Sequence, residues 1–202
     1  MKPSHLIAAS LLSLSAALPV AAHSAAYTAQ LLGASESPAN NSAGTGSATV
    51  TLDEHSLTMR VQASFAGLSG STTMAHIHCC TTLPNTGNAG VALVFSDFPT
   101  GTTAGAYDRT FDMSQLSSWS GSFVSTHGGT AISAFAALGQ TLGDGTAYFN
   151  VHTSAFPGGE LRGNFAAAVP EPQTNVLMLA GLVGLAGVYR RRRSIQTEGD
   201  LS

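Results

Sequence analysis

The stretch 148–165, YFNVHTSAFPGGELRGNF, constrains the fold most, because it alternates apolar and polar side chains on either side of a turn. Over 148–153, Phe149 and Val151 fall on one face and Tyr148, Asn150 and His152 on the other, the period of a β-strand. Pro157, Gly158 and Gly159 supply one φ-restricted residue and two permissive ones, which suits a chain reversal. Leu161 and Phe165 then share a face, with Glu160, Arg162 and Asn164 opposite. Pairing the two strands joins the apolar faces into a core. It also gathers Asn150, His152, Glu160, Arg162 and Asn164 on one polar face.

The chain upstream reads as the β-fold that this hairpin closes. The cleanest alternation is at 57–65, with Leu57, Met59, Val61, Ala63 and Phe65 on one side and Thr58, Arg60, Gln62 and Ser64 on the other. Further strands are expected at 27–32, 48–52, 73–79 and 107–113. A short apolar strand at 91–95 is expected in a sandwich interior. The run 130–138 has Ile132, Phe135 and Ala136 at helical spacing, Thr130 as N-cap and Gly139 past its end, so one short helix is expected there. Short strands with Gly-rich turns predict a mainly β fold, an antiparallel sandwich or barrel.

Two terminal segments stand apart from that domain. Lys2, an apolar run over 6–18 and small residues at Val20, Ala21 and Ala22 read as a secretory signal peptide, with signal peptidase expected to cut after Ala22. Residues 23–168 are then the β domain and 169–202 a C-terminal segment. Within it, 176–189 is uncharged and as a helix would span about 21 Å, short of a hydrocarbon core of about 30 Å. Arg190, Arg191, Arg192 and Arg193 follow and would hold that end in the cytoplasm, with the β domain outside.

Charge excludes one class of partner. Between 24 and 169 the basic side chains are Arg60, Arg109 and Arg162, against eight carboxylates and no lysine. Nucleic-acid binding requires a basic footprint, which this domain lacks. The two cysteines, Cys79 and Cys80, are adjacent, so no ordinary loop-closing disulfide is available. Three readings stay open for them: small packing groups, which is preferred, a vicinal disulfide, or soft metal ligands.

His76 and His78 are the most suggestive pair. On a strand, residues two apart point to the same side, so both imidazoles could serve one ion, with His152 or Glu160 as a third ligand. Imidazole suits zinc or copper. The plainer reading, two polar-face residues bonding neighbouring strands, is preferred for a bare H-x-H. Glu160 and Arg162 could form a same-face ion pair of modest value. No G-x-S-x-G elbow, phosphate loop or HExxH is present, so no catalytic residues are assigned and a non-enzymatic role is expected.

The segments YTAQLLGASESP, AHIHCC and AYFNVHTSAFPGGELRGNF resemble the CHRD (chordin-type) domain across about 27–165. That resemblance implies an extracellular β-sandwich with a binding or structural role at the cell surface or in the matrix, and supplies no catalytic residues. The H-x-H strand is also similar to that of Cu/Zn superoxide dismutase, although that enzyme's further metal histidines have no counterparts here. A metal-binding or redox protein using His76, His78 and His152 is the alternative. Val169, Pro170, Glu171 and Pro172, the apolar 176–189 and Arg190 to Arg193 resemble a PEP-CTERM sorting signal. One departure is a tail, 194–202, beyond the arginines. The signal implies a Gram-negative exporter, often one that makes extracellular polysaccharide, with an exosortase-type membrane protease as partner and that polysaccharide or matrix as a further candidate partner. The chain would be held transiently in the inner membrane, processed near Pro170 to Pro172, and passed to the surface or outside.

Overall fold

The computed structural model describes residues 24–168, together with Gly181, Val183 and Gly184. The expected signal peptide at 1–22, Pro170, Glu171, Pro172, the rest of the expected membrane segment 176–189 and Arg190 to Arg193 lie outside the described residues. Among the described residues no helix is long and apolar enough to cross a membrane.

Among the described residues, nine strands form one antiparallel sheet. They are β1 (Ser24–Leu32), β2 (Thr45–Asp53), β3 (Thr58–Ala66), β4 (Thr72–His78), β5 (Val91–Val94), β6 (Gly105–Asp112), β7 (Tyr148–Thr153), β8 (Leu161–Asn164) and β9 (Ala166–Ala167). The order is β5-β4-β7-β8-β1-β2-β3-β6, with β9 beside β1. The expected hairpin is present as β7 and β8, Val151 facing Leu161 and Tyr148 facing Asn164. β3 pairs with β2 and β6 along its full length.

The sheet curls, because its inner-face side chains meet across the molecule. Phe95, just past β5 at one end of the sheet, lies 5.6 Å from Tyr107 and 6.1 Å from Phe111 of β6 at the other end. It also lies 5.0 Å from Phe149 in β7. Phe98 bridges the same gap, 5.4 Å from Phe65 and 6.5 Å from Phe149. Phe149, Val151, Leu161, Phe165, Val61 and Phe65 thus share one core. Of the expected sandwich or barrel, the sheet takes the barrel side, a half-barrel curled around one core. β5 is an edge strand rather than an interior one, since Ala92 and Leu93 are buried but Val94 is 57 % exposed.

Among the described residues of the β domain two helices, not one, pack on this sheet: α1 (Gly121–Thr126) and α2 (Ala131–Gly143). α2 starts where expected, with Thr130 and Ser133 forming a capping box. It runs through Gly139 instead of stopping there. Its buried face is Ala131, Ala134, Phe135, Leu138 and Leu142. Ile132 and Ala136, expected on that face, are both exposed, Ile132 to 64 %. The longer helix rotates the best apolar stripe away from Ile132 and onto Leu142, which a window ending at 138 does not contain.

Gly163 lets β8 approach β1, since a Cβ there would sit 2.3 Å from the Gln30 carbonyl oxygen. The loop that follows β1 lies over the outer face of β7, where Asn150 donates to Glu36 Oε1. Every residue of β7 is therefore buried, on both faces.

Candidate metal centre

The outer faces of β4 and β7 carry His76, His78 and His152. His76 faces Asn150 across the strands, and His152 sits one diagonal step away. His76 Nδ1 lies 3.1 Å from His152 Nε2. One ligand atom from each of the three rings falls within 4.8 Å of the others. Tetrahedral zinc with bonds of about 2.0–2.1 Å places ligands about 3.3 Å apart, so the first pair already stands near that spacing.

Backbone carbonyls decide the tautomers. His152 Nδ1 is 2.9 Å from the Pro157 carbonyl oxygen and His78 Nδ1 is 2.9 Å from that of Ala89. A carbonyl only accepts, so each Nδ1 carries the proton and donates it, leaving both Nε2 atoms as bare lone pairs. His152 Nε2 accepts from His76 Nδ1–H. His78 Nε2 is buried and has no partner. Such carbonyl partners are the usual orienting groups behind metal-bound imidazoles.

His78 is further locked by a stack. Its ring lies parallel to Tyr148 at 4.8 Å, and the Arg162 guanidinium lies over the Tyr148 ring at 3.6 Å. The Tyr148 hydroxyl accepts from the Ala89 amide, fixing the carbonyl that holds His78. Arg162 is 1 % exposed and donates to Asn88 Oδ1 and Asn164 Oδ1.

The other sequence-derived candidates serve this scaffold. Glu160 does not pair with Arg162. It is fully buried, and accepts from Ser42 Oγ at 2.6 Å, Thr153 Oγ1 at 2.6 Å and the backbone amides of Ser69 and Gly70. Burial raises its pKa, but these donors outweigh burial and hold the carboxyl below its usual range. Asn150 donates to Glu36 Oε1 at 2.6 Å and to the Leu161 carbonyl. Asn164 donates to the Gly145 carbonyl. The polar hairpin face is thus a covered interior, not an open surface. Glu36 escaped sequence reasoning, although it is the one acid in a Gly-, Ser-, Asn- and Pro-rich loop. Asn40, the first residue of a glycosylation triplet, instead ties that loop to Gly159 and Glu160 through its amide.

Cys79 and Cys80 form a vicinal disulfide across a cis peptide bond, their Cα atoms 3.0 Å apart. The packing reading is therefore corrected for the pair, although Cys79 also lies in the core.

Burial, reinforced by the His152 and His78 rings, pushes His76 down to about 4. Burial also lowers His78, against the pull of its bond to Ala89. Folding therefore favours neutral His76, a stabilisation present above its ordinary value near 6.5 and lost as pH falls toward 4. At about 1.4 kcal/mol per pKa unit this amounts to roughly 3 kcal/mol. Glu36 acts in the opposite sense. Burial pushes it up to about 7, against the Asn150 bond and the Arg162 charge. Its contribution is full below about 4.5 and lost as pH rises through 7. Metal-free Glu36→Gln protein should therefore lose more stability than wild type between pH 6.5 and 4, as read by denaturant melts. Parallel pH profiles would contradict this balance.

Comparison with protein families places residues 27–165 in the CHRD domain family and residues 168–193 in the PEP-CTERM protein-sorting motif. No curated protein and no solved structure matches the chain. The combination defines an exported β-module that carries its own sorting tag. The chain belongs to the CHRD domain family, and its sorting motif implies export and processing by an exosortase.

Proposed function

We propose that the CHRD domain of this exported protein is a metal-binding module acting at the cell surface or in the extracellular matrix. His76, His78 and His152 hold one first-row ion, zinc or copper. The observation that carries this reading is His78 Nε2: buried, without a partner, and deprived of its proton by the Ala89 carbonyl at the ring's other nitrogen. A buried bare lone pair is costly unless something binds it. A metal ion satisfies it and His152 Nε2 together. His76 completes the set by moving its own proton from Nδ1 to Nε2.

A second, redox reading is less well supported. Among the described residues the three histidines are the one such cluster, so no partner cluster completes a two-metal centre of the dismutase kind.

The test is the metal content of the full chain produced without a histidine tag, before and after exposure to Zn²⁺ and Cu²⁺. One ion per chain is expected. His76→Ala should weaken binding by more than the roughly 10–100-fold that loss of an outer-shell partner costs. His127→Ala should leave it unchanged. A chain that stays metal-free in excess of both ions would refute the proposal.

A further inference from the structure

Met74 lies on the outer face of β4, two residues before His76 and four before His78. It stands directly opposite His152 in the β4–β7 register. Opposed side chains on one face have Cβ atoms about 4.5–5.5 Å apart, so the thioether is within reach of the histidine cluster. Met74 is not a packing residue, being 46 % exposed. It is also out of character for this surface. The outer faces of β2, β3 and β6 carry mainly polar side chains such as Thr49, Arg60, Gln62 and Asp108, with Ala66 and Ala106 as their apolar members. Beside His76, Met74 and its cross-strand neighbour Val94, 57 % exposed, break that pattern; among the described strands the other large exposed apolar side chain is Leu32 of β1, away from the histidines at 40 % exposed.

From this juxtaposition we infer that the centre is a copper site, with Met74 Sδ as a fourth ligand that selects Cu(I). The inference rests on the metal reading above and sharpens it. Thioether sulfur is a soft donor that favours Cu(I), whereas zinc sites draw on imidazole, thiolate and carboxylate. Both cysteines are tied into their disulfide, so Met74 is the sulfur available to the site. The neutral imidazoles need not lose a net proton to bind, and the apolar rim of Met74 and Val94 shields a monovalent ion from water.

The test compares wild type, Met74→Leu and His76→Ala as full chains without a histidine tag. Cu(I), kept reduced by ascorbate under anaerobic conditions, is titrated against a chromophoric Cu(I) chelator. Zn²⁺ is titrated separately. Met74→Leu should lower Cu(I) affinity by roughly tenfold or more, the scale on which single supporting groups act at metal sites, and leave Zn²⁺ affinity unchanged. X-ray absorption should show sulfur bound to copper in wild type and none in Met74→Leu. Unchanged Cu(I) affinity, or equal losses for both ions, overturns the assignment of Met74. In either case the histidine reading still stands, provided that His76→Ala weakens both ions. A wild-type chain that binds neither ion overturns both.

Discussion

Glu160→Ala should destabilise the domain by about 3–5 kcal/mol, the cost of emptying one side of a buried charged network. The carboxylate sits where three separate parts of the chain meet. Ser42 comes from the loop before β2, Ser69 and Gly70 from the β3–β4 turn, and Thr153 from the hairpin itself. Removing it leaves two backbone amides and two hydroxyls facing a cavity, and each buried unsatisfied donor costs about 1–3 kcal/mol. Partial relaxation and water entry keep the sum below the total of the parts. Glu160→Gln keeps the volume and one acceptor oxygen but turns an NH₂ toward donors, so it should fall between alanine and wild type. Denaturant unfolding reads both values. A Glu160→Ala chain within about 1 kcal/mol of wild type, the range of ordinary substitutions, would show that the network is not holding the hairpin.

Phe149→Ala should be comparably severe, at about 3–5 kcal/mol. Phe149 is fully buried, and its ring meets both Phe95 and Phe98, the side chains that join the two ends of the curled sheet. Its loss opens a cavity that neighbouring strands cannot close, because the β7 backbone is pinned by ladders to β4 and β8. A fall in Tm of about 10 °C or more is expected for a domain of this size. An unchanged Tm would mean that Phe149 does not face the core.

Much of this was legible in the sequence where side chains alternate. β3 and the β7–β8 hairpin declare their inner faces through Met59, Val61, Ala63 and Phe65, and through Phe149, Val151, Leu161 and Phe165. The extent of α2 was not, because Gly139 looks like a terminator when only the local pattern is weighed. Curling of the sheet was illegible too, since it depends on contacts such as Phe95 with Phe111, which are remote in the chain. The sequence set His76 beside His78 through their spacing, and the hairpin register brings in His152. It could not reveal that Pro157 and Ala89 carbonyls orient the rings, because backbone partners leave no mark in residue identity. The covering of the polar face by loops, and with it the separation of Glu160 from Arg162, likewise depends on Asn40, Asn88 and Glu36 in segments without periodicity. The vicinal disulfide was one of three open readings for the cysteines, and the sequence could not choose it because a cis bond between Cys79 and Cys80 leaves no mark in residue identity.

The central claim is that His76, His78 and His152 present three imidazole nitrogens to one ion. Long-range ¹H–¹⁵N correlation of the histidine rings tests it most directly, in the full chain without a histidine tag and free of metal. His78 and His152 should appear as the tautomer protonated at Nδ1. One equivalent of Zn²⁺ should shift Nε2 of His78, Nε2 of His152 and Nδ1 of His76, leaving His5, His23, His55 and His127 where they were. Shifts confined to those other four rings, or no shift in any ring, would contradict the assignment.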